Sequence, residues 1–153
     1  MIIFIGSDHR GFALKKYLKD KLIKKKYKVI DVGNYQYDIN DDYPDISFLV
    51  GIKVNEHKGS RGILICGSGI GVCVAANKIK GVRAGLGISQ AIIRKAREDD
   101  DINVLCLPAD FINKVMALKL TLLFLKTKFK NLSRYKRRIQ KIVDYENKNY
   151  SGN

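Results

Sequence analysis

No window of this 153-residue sequence reaches the roughly 18 consecutive apolar residues that a membrane span requires. The apolar start, Met1-Ile2-Ile3-Phe4-Ile5, is too short for a signal-peptide core and has no basic residue ahead of it. It fits a buried strand, which leaves the cytoplasm as the expected location. Cysteine is scarce: Cys66, Cys73 and Cys106 are odd in number and lack CxxC spacing. With only His9 and His57 beside them, the usual soft ligands cannot assemble a zinc site. Reduced thiols in a reducing compartment are the simplest consequence.

Acidic residues are also few, 15 against 29 Lys and Arg, for a net charge of +14. Residues 15–28 and the acid-free run 111–143 hold most of the positive charge, and lysine dominates it. A basic balance suits anionic partners such as nucleic acid, anionic lipid or phosphorylated metabolites. Lysines solvated along helix faces account for the same numbers. No aromatic-rich RNA motif or recognition helix accompanies the charge, so nucleic acid is not the expected partner.

Apolar runs bounded by glycine alternate with amphipathic stretches, the pattern of repeated βα units around a parallel sheet. Strands are expected at 2–6, 28–32, 62–66, 82–86 and 104–107. Helices are expected at 11–24, 45–56 with Asp45 as cap, 72–79, 89–99, 112–126 and 132–150, the last with Ser133 as N-cap. Residues 33–44 are polar and turn-rich, and fit a loop. The final Ser-Gly-Asn is expected to fray. The sum is a single domain over 1–150. Its expected fold class is a Rossmann-like three-layer α/β/α sandwich on a five-stranded parallel sheet, order 2-1-3-4-5, with an added C-terminal helix.

That strand order sets the switch point between strands 1 and 3, and ligands in such sheets bind there, outside the carboxyl ends of the strands. Two unusual loops fall at this crevice: Ser7-Asp8-His9-Arg10-Gly11 and Gly67-Ser68-Gly69-Ile70-Gly71. Three alternating glycines between a buried strand and a helix let backbone N–H groups turn toward one point, fit for a phosphate or a developing oxyanion. The spacing matches neither the dinucleotide fingerprint nor a P-loop. A tight turn with no ligand would use the same glycines.

Cys66 closes strand 3 just before this loop, where oriented amides favour a thiolate. Cys73 and Cys106 read as small core residues, as Cys66 would if taken apart from its place at the switch-point loop. Asp8 and His9 can bind hydroxyls and move protons at the crevice. His57 reads as surface. Arg134 and Arg138, four residues apart, share one face of the last helix. Their forked guanidiniums suit a phosphate dianion, and a solvated basic face suits them equally.

Several blocks, taken in order, resemble the ribose-5-phosphate isomerase B family, which also holds the two subunits of galactose-6-phosphate isomerase. They are Gly6-Ser7-Asp8-His9-Arg10-Gly11, Val29-Ile30-Asp31-Val32-Gly33, Asp42-Tyr43-Pro44, and Gly62-Ile63-Leu64-Ile65-Cys66-Gly67-Ser68-Gly69-Ile70-Gly71. Ala75-Ala76-Asn77-Lys78, Gly81-Val82-Arg83-Ala84, Asn103-Val104-Leu105, and Arg134 with Arg138 continue the match. The resemblance implies aldose–ketose interconversion, ribose 5-phosphate to ribulose 5-phosphate, with no metal or organic cofactor. It makes Cys66 the proton-transferring base. The amides from Gly67 through Gly69 to Gly71, with the Ser68 hydroxyl, would hold the enediolate. Asp8 and His9 would bind the furanose and assist ring opening, Tyr43 would pack on the sugar, and Arg134 and Arg138 would take the phosphate. It also implies a homodimer or tetramer with each site built from two subunits.

The chain departs from that pattern in three places. Asp99-Asp100 stand where the family carries His-Asn, the His for ring opening and the Asn for substrate contact. Pro108-Ala109-Asp110 replace a glycine and a phosphate-side arginine, and Tyr135 stands at a common His position. Base and oxyanion loop are thus kept, and the ring-opening side is altered. A 6-phosphohexose substrate, or sugar-phosphate binding without turnover, are the alternatives.

Overall fold

Strand β1 (Ile2–Ser7) buries Ile3, Phe4 and Ile5 almost completely, although neighbouring side chains on a strand point to opposite faces. It therefore needs a layer on each side. The computed structural model, which describes residues 1–149, supplies both. Helix α1 (Phe12–Lys24), α4 (Gln90–Asp100) and α5 (Lys114–Lys126) cover one face, burying Leu18, Ile93 and Phe124 on Ile3, Ile5, Ile63, Ile65 and Leu105. Helices α2 (Tyr43–Glu56) and α3 (Ile70–Ala76) cover the other, where Val50 and Val72 meet Phe4, Leu64 and Cys106. Each fully buried Leu or Ile stabilises the fold by about 1.5–3 kcal/mol.

The remaining strands are β2 (Lys28–Asp31), β3 (Arg61–Cys66), β4 (Ala84–Leu86) and β5 (Val104–Pro108), and every pairing is parallel. Their order is β2-β1-β3-β5-β4, not the expected 2-1-3-4-5. Burial explains the exchange. All five residues of β5 are buried, so it has sheet neighbours on both edges and helices over both faces. The three residues of β4, Ala84-Gly85-Leu86, are only half-buried and offer little apolar surface, which suits an edge. The switch point between β1 and β3 is unaffected.

Helix α2 starts at Tyr43, so Asp45 lies in its first turn and does not cap it. Asp42 takes the extended cap position, and Pro44 fits the first turn because its missing N–H would have had no partner there. Helix α3 begins at Ile70, directly after the loop glycines, and ends at Ala76. β4 starts two residues later than expected. Asn113, whose Oδ1 accepts from the Met116 N–H at 2.9 Å, delays α5 to Lys114. The last helix, α6 (Ser133–Asn149), begins with Ser133 inside it; its expected end at Tyr150 and the Ser-Gly-Asn tail lie outside the described residues. Among those residues no helix is long and apolar enough to cross a membrane.

One charged group is sealed under α1. Lys15 is 1 % exposed, and its Nζ donates to Asp31 Oδ1 at 2.9 Å and to the Asn34 carbonyl. Lys19 takes the other Asp31 oxygen at 3.0 Å. Burial works against both charges, yet two ammonium groups hold the Asp31 carboxyl below its usual range. The end of β2 and the loop after it are thereby tied to α1.

Candidate active site

The carboxyl ends of β1 and β3 lie side by side, with Ser7 opposite Ile65. The Asp8 N–H donates to the Ile65 carbonyl at 3.2 Å, which fixes the first loop to the third strand. Asp8 Oδ1 accepts from the Gly11 N–H at 2.9 Å. Burial is the main influence on this carboxyl and raises its pKa; nearby Asp41 adds to the rise, and the Gly11 N–H and His9 oppose it. His9 Nδ1 lies 2.6 Å from Asp41 Oδ1.

Cys66 ends β3 with its side chain turned to the α2–α3 face. The residue is buried, yet it lines the crevice, and its sulfur accepts a hydrogen bond from the Gly69 N–H at 3.1 Å. Gly69 reaches back because it adopts φ +73°, a conformation that side chains disfavour. A Cβ there would also meet Leu86 Cδ1 at 2.6 Å and the Pro108 nitrogen at 3.0 Å. Ser68 Oγ accepts from the Ile70 N–H at 3.2 Å. The Tyr43 ring lies so close to Gly71 that a Cβ would stand 2.9 Å from two of its carbons. One amide thus sits on the thiol, and Ser68 and Tyr43 line the same crevice.

The resulting cleft has a volume of about 400 Å³. Six residues singled out from the sequence line it: Asp8, Tyr43, Cys66, Gly67, Ser68 and Gly71. His9 adjoins it through Asp8, and Gly69 contributes its N–H. Arg10, part of the loop expected at the crevice, lines it too, as do Asp110 and Phe111, which sequence reasoning did not place there. Arg10 pairs with Asp110 across 100 positions of sequence, over Gly67. Both residues directly follow strands that flank or adjoin the switch point, and that position was the available signal.

Asp99, Asp100, Arg134 and Arg138 do not line this cleft. Helix α4 runs back from the carboxyl ends of the strands, so its last residues, Asp99 and Asp100, stand at the amino ends. Arg134 is close by: its guanidinium donates to the Tyr135 hydroxyl at 2.9 Å, and that oxygen first, with Asp99 contributing, raises its pKa. Arg138 is exposed on the same helix. Asp99 Oδ1 is buried and finds no hydrogen-bond partner among the described residues.

A larger hollow of about 620 Å³ also lies at the amino ends, between Asn55, Lys58, Arg61 and Arg83. None of the singled-out residues borders it, and Arg83 is already bonded to the Asp101 carbonyl at 2.9 Å and carboxylate at 3.1 Å. The residues singled out from the sequence gather in the smaller cleft. Among the described residues no group of three or more His, Cys, Asp or Glu is placed to hold a metal ion. Cys106 is wholly buried, and burial above all pushes its thiol up, as befits a core residue.

Comparison with known proteins bears on what this cleft does. The sequence model described as Ribose/Galactose Isomerase matches residues 3–142. A probable ribose-5-phosphate isomerase B of Mycoplasma genitalium is 48% identical over 145 residues, which cover 94% of this chain and 95% of that protein. Its counterpart in Mycoplasma pneumoniae is 42% identical over 144 residues, 94% of each. A crystal structure of ribose-5-phosphate isomerase B from Mycoplasma genitalium with bound ribulose-5-phosphate superposes with a TM-score of 0.91, at 47% identity, covering 95% of each chain.

Proposed function

The chain belongs to the ribose/galactose isomerase family, and from that premise we propose that it interconverts ribose 5-phosphate and ribulose 5-phosphate, as an aldose–ketose isomerase. The reaction shifts a proton between C1 and C2 through an enediolate, so it needs a base beside two carbons and donors for two oxygens. It is redox-neutral, and calls for no redox cofactor. Cys66 is the base. Its sulfur accepts the Gly69 N–H at 3.1 Å.

The amides of Gly67, Gly69 and Gly71, with the Ser68 hydroxyl, hold the enediolate oxygens. Donors of this kind contribute about 3–4 kcal/mol each in comparable sites. Asp8 and His9 bind the furanose, and Tyr43 packs on the sugar. Arg134 and Arg138 take the phosphate, with Asp99 on the ring-opening side and Asp100 at the substrate.

One chain cannot close this site alone. Cys66 stands at the carboxyl ends of the strands and Arg134 near the amino ends, and a five-residue strand spans about 17 Å. The arginines therefore reach each cleft from a second copy, in a homodimer or a dimer of dimers. Ile70 and Val74, one turn apart on α3 and more than half exposed, offer apolar surface beside the open edge of β4 for that pairing. Three free cysteines suit the reducing cytoplasm, where pentose phosphates are metabolised.

A single observation carries the reading: Cys66, whose sulfur accepts the Gly69 N–H, lines one cleft with Asp8 and Ser68. The deciding test is ribulose 5-phosphate formation from ribose 5-phosphate by purified protein with chelator present. No conversion would overturn the reading. Faster turnover of a 6-phosphohexose would move the protein to the galactose side of the family.

A further inference from the structure

Asp41 ends a line of polar groups that begins in the core. Lys15, sealed under α1 with Asp31, donates to the Asn34 carbonyl. The Asn34 side-chain amide donates to Asp41 Oδ2, and its backbone N–H donates to the Ser7 carbonyl at 3.3 Å. Asp41 Oδ1 then meets His9 Nδ1 at 2.6 Å, with the Asp41 side chain 8 % exposed. A carboxylate only accepts, so His9 carries its proton on Nδ1 and leaves Nε2 with a free lone pair. Tyr37 stands edge-on to the imidazole, 6.2 Å between centroids, and limits its rotation from the other side.

The chain holds one other histidine. His57 is exposed at the amino ends of the strands, with Nδ1 3.0 Å from the Lys53 carbonyl and its ring against Phe4. His9 is thus the one imidazole beside the cleft.

We propose that Asp41 is a positioning residue that fixes His9 as the proton carrier for opening the sugar ring; this rests on the isomerase reading above. In that step Nε2 takes the proton from the anomeric hydroxyl as the C1 carbonyl forms. The C1–O4 bond breaks, its electron pair stays on O4, and the imidazolium returns the proton to O4. Asp41 stabilises the imidazolium between the two transfers, the role a buried carboxylate plays behind any general-base histidine. Asp99, which stands where the family has a histidine, is then spared that role.

The test separates ring opening from enolisation. Ribulose 5-phosphate has no ring to open, because its phosphate occupies the hydroxyl that would close one. Deuterium uptake from solvent at its C1 therefore reports enolisation alone, whereas conversion of ribose 5-phosphate reports both steps. In Asp41→Asn, ribose 5-phosphate turnover is expected to fall by about tenfold or more while C1 exchange stays within about twofold of wild type. Nitrogen-15 spectra of the ring, assigned with a His57→Gln variant, should show the Nδ1–H form in wild type and its loss in Asp41→Asn.

Equal losses in both reactions would make Asp41 a merely structural residue and overturn the proposal. So would unchanged turnover, or an Nδ1–H signature that survives the substitution. Should Asp41→Asn not fold, Asn34→Ala, which frees Asp41 from one side, is expected to show the same split to a lesser degree, and equal losses there overturn the proposal as well. Wild-type protein that leaves ribose 5-phosphate untouched would sink the isomerase reading itself, a result distinct from each of these.

Discussion

The backbone N–H of Gly69 lies 3.1 Å from the sulfur of Cys66, three residues earlier, because the intervening turn bends through a left-handed glycine. Gly69→Ala would strain that turn and press a methyl group on Leu86 and the Pro108 backbone. A loss of about 1–3 kcal/mol is expected in urea denaturation, with turnover lowered by about 10²-fold as the donor moves off the sulfur. Wild-type stability and turnover together would show that the donor is dispensable.

Cys66→Ala removes the proposed base and little else, since the residue is small and already enclosed. Ribose 5-phosphate isomerisation should drop by about 10²- to 10⁴-fold or beyond detection, with a stability change of about 1 kcal/mol. Unaltered turnover would take Cys66 out of the mechanism.

Mixed subunits test whether each site is shared. Cys66→Ala and Arg134→Ala homodimers should each be inactive or weak. After co-refolding at equal amounts, heterodimers would pair an intact Cys66 cleft with an intact Arg134, restoring about a quarter of wild-type activity. Activity no greater than the sum of the separate variants would place the arginine and the thiol in the same subunit's site, or in none.

Asp8 carries a carboxyl whose folded-state pKa is raised, chiefly by burial. Above that raised value its charge is held at a cost, and the cost fades as pH falls through it toward the unfolded value. Asp8→Asn keeps an acceptor for the Gly11 N–H and sheds the charge. The variant should therefore melt higher than wild type at neutral pH, the difference shrinking in acid, while ribose 5-phosphate turnover declines. An advantage that instead grew toward acid would contradict the assigned direction.

Asp99 has one buried oxygen with no hydrogen-bond partner among the described residues, and its other oxygen stands 3.8 Å from Lys95 Nζ. Asp99→His restores the family's residue beside Arg134. Turnover of ribose 5-phosphate should rise, by about an order of magnitude if a second proton carrier is gained. A lower or unchanged rate would give Asp99 a role of its own.

The five strands, six helices and the two switch-point loops could be read from the chain because each is a local pattern. Residues 62–71 hold a buried run and its glycines in ten consecutive positions. The order of β4 and β5 was not local, since either arrangement allows parallel crossovers. What decides it is the contrast between the wholly apolar Val104-Leu105-Cys106-Leu107 and the sparse Ala84-Gly85-Leu86. The start of α2 had a signal that went unused, an acidic residue two positions before Pro44.

Side-chain pairs were the least legible part of the site. Asp41 lies 32 positions from His9 and Asp110 lies 100 from Arg10, and nothing in their own neighbourhoods marks either as a partner. Asp110 stood out in the sequence only as a departure from the family. In the fold it is the counter-charge of Arg10 at the rim of the cleft.

The loop from Gly67 to Gly71 offers peptide N–H groups, and a peptide N–H survives every single-residue exchange except one to proline. The proposed electron-accepting half of the chemistry therefore keeps its N–H groups through most exchanges, and what a change such as Gly69→Ala alters is where they point. Side chains at the rim of the same cleft, such as Arg10, Asp110 and Phe111, have no such protection. A lineage can retune which phosphorylated sugar it admits by altering that perimeter, and keep the bond rearrangement common to all of them.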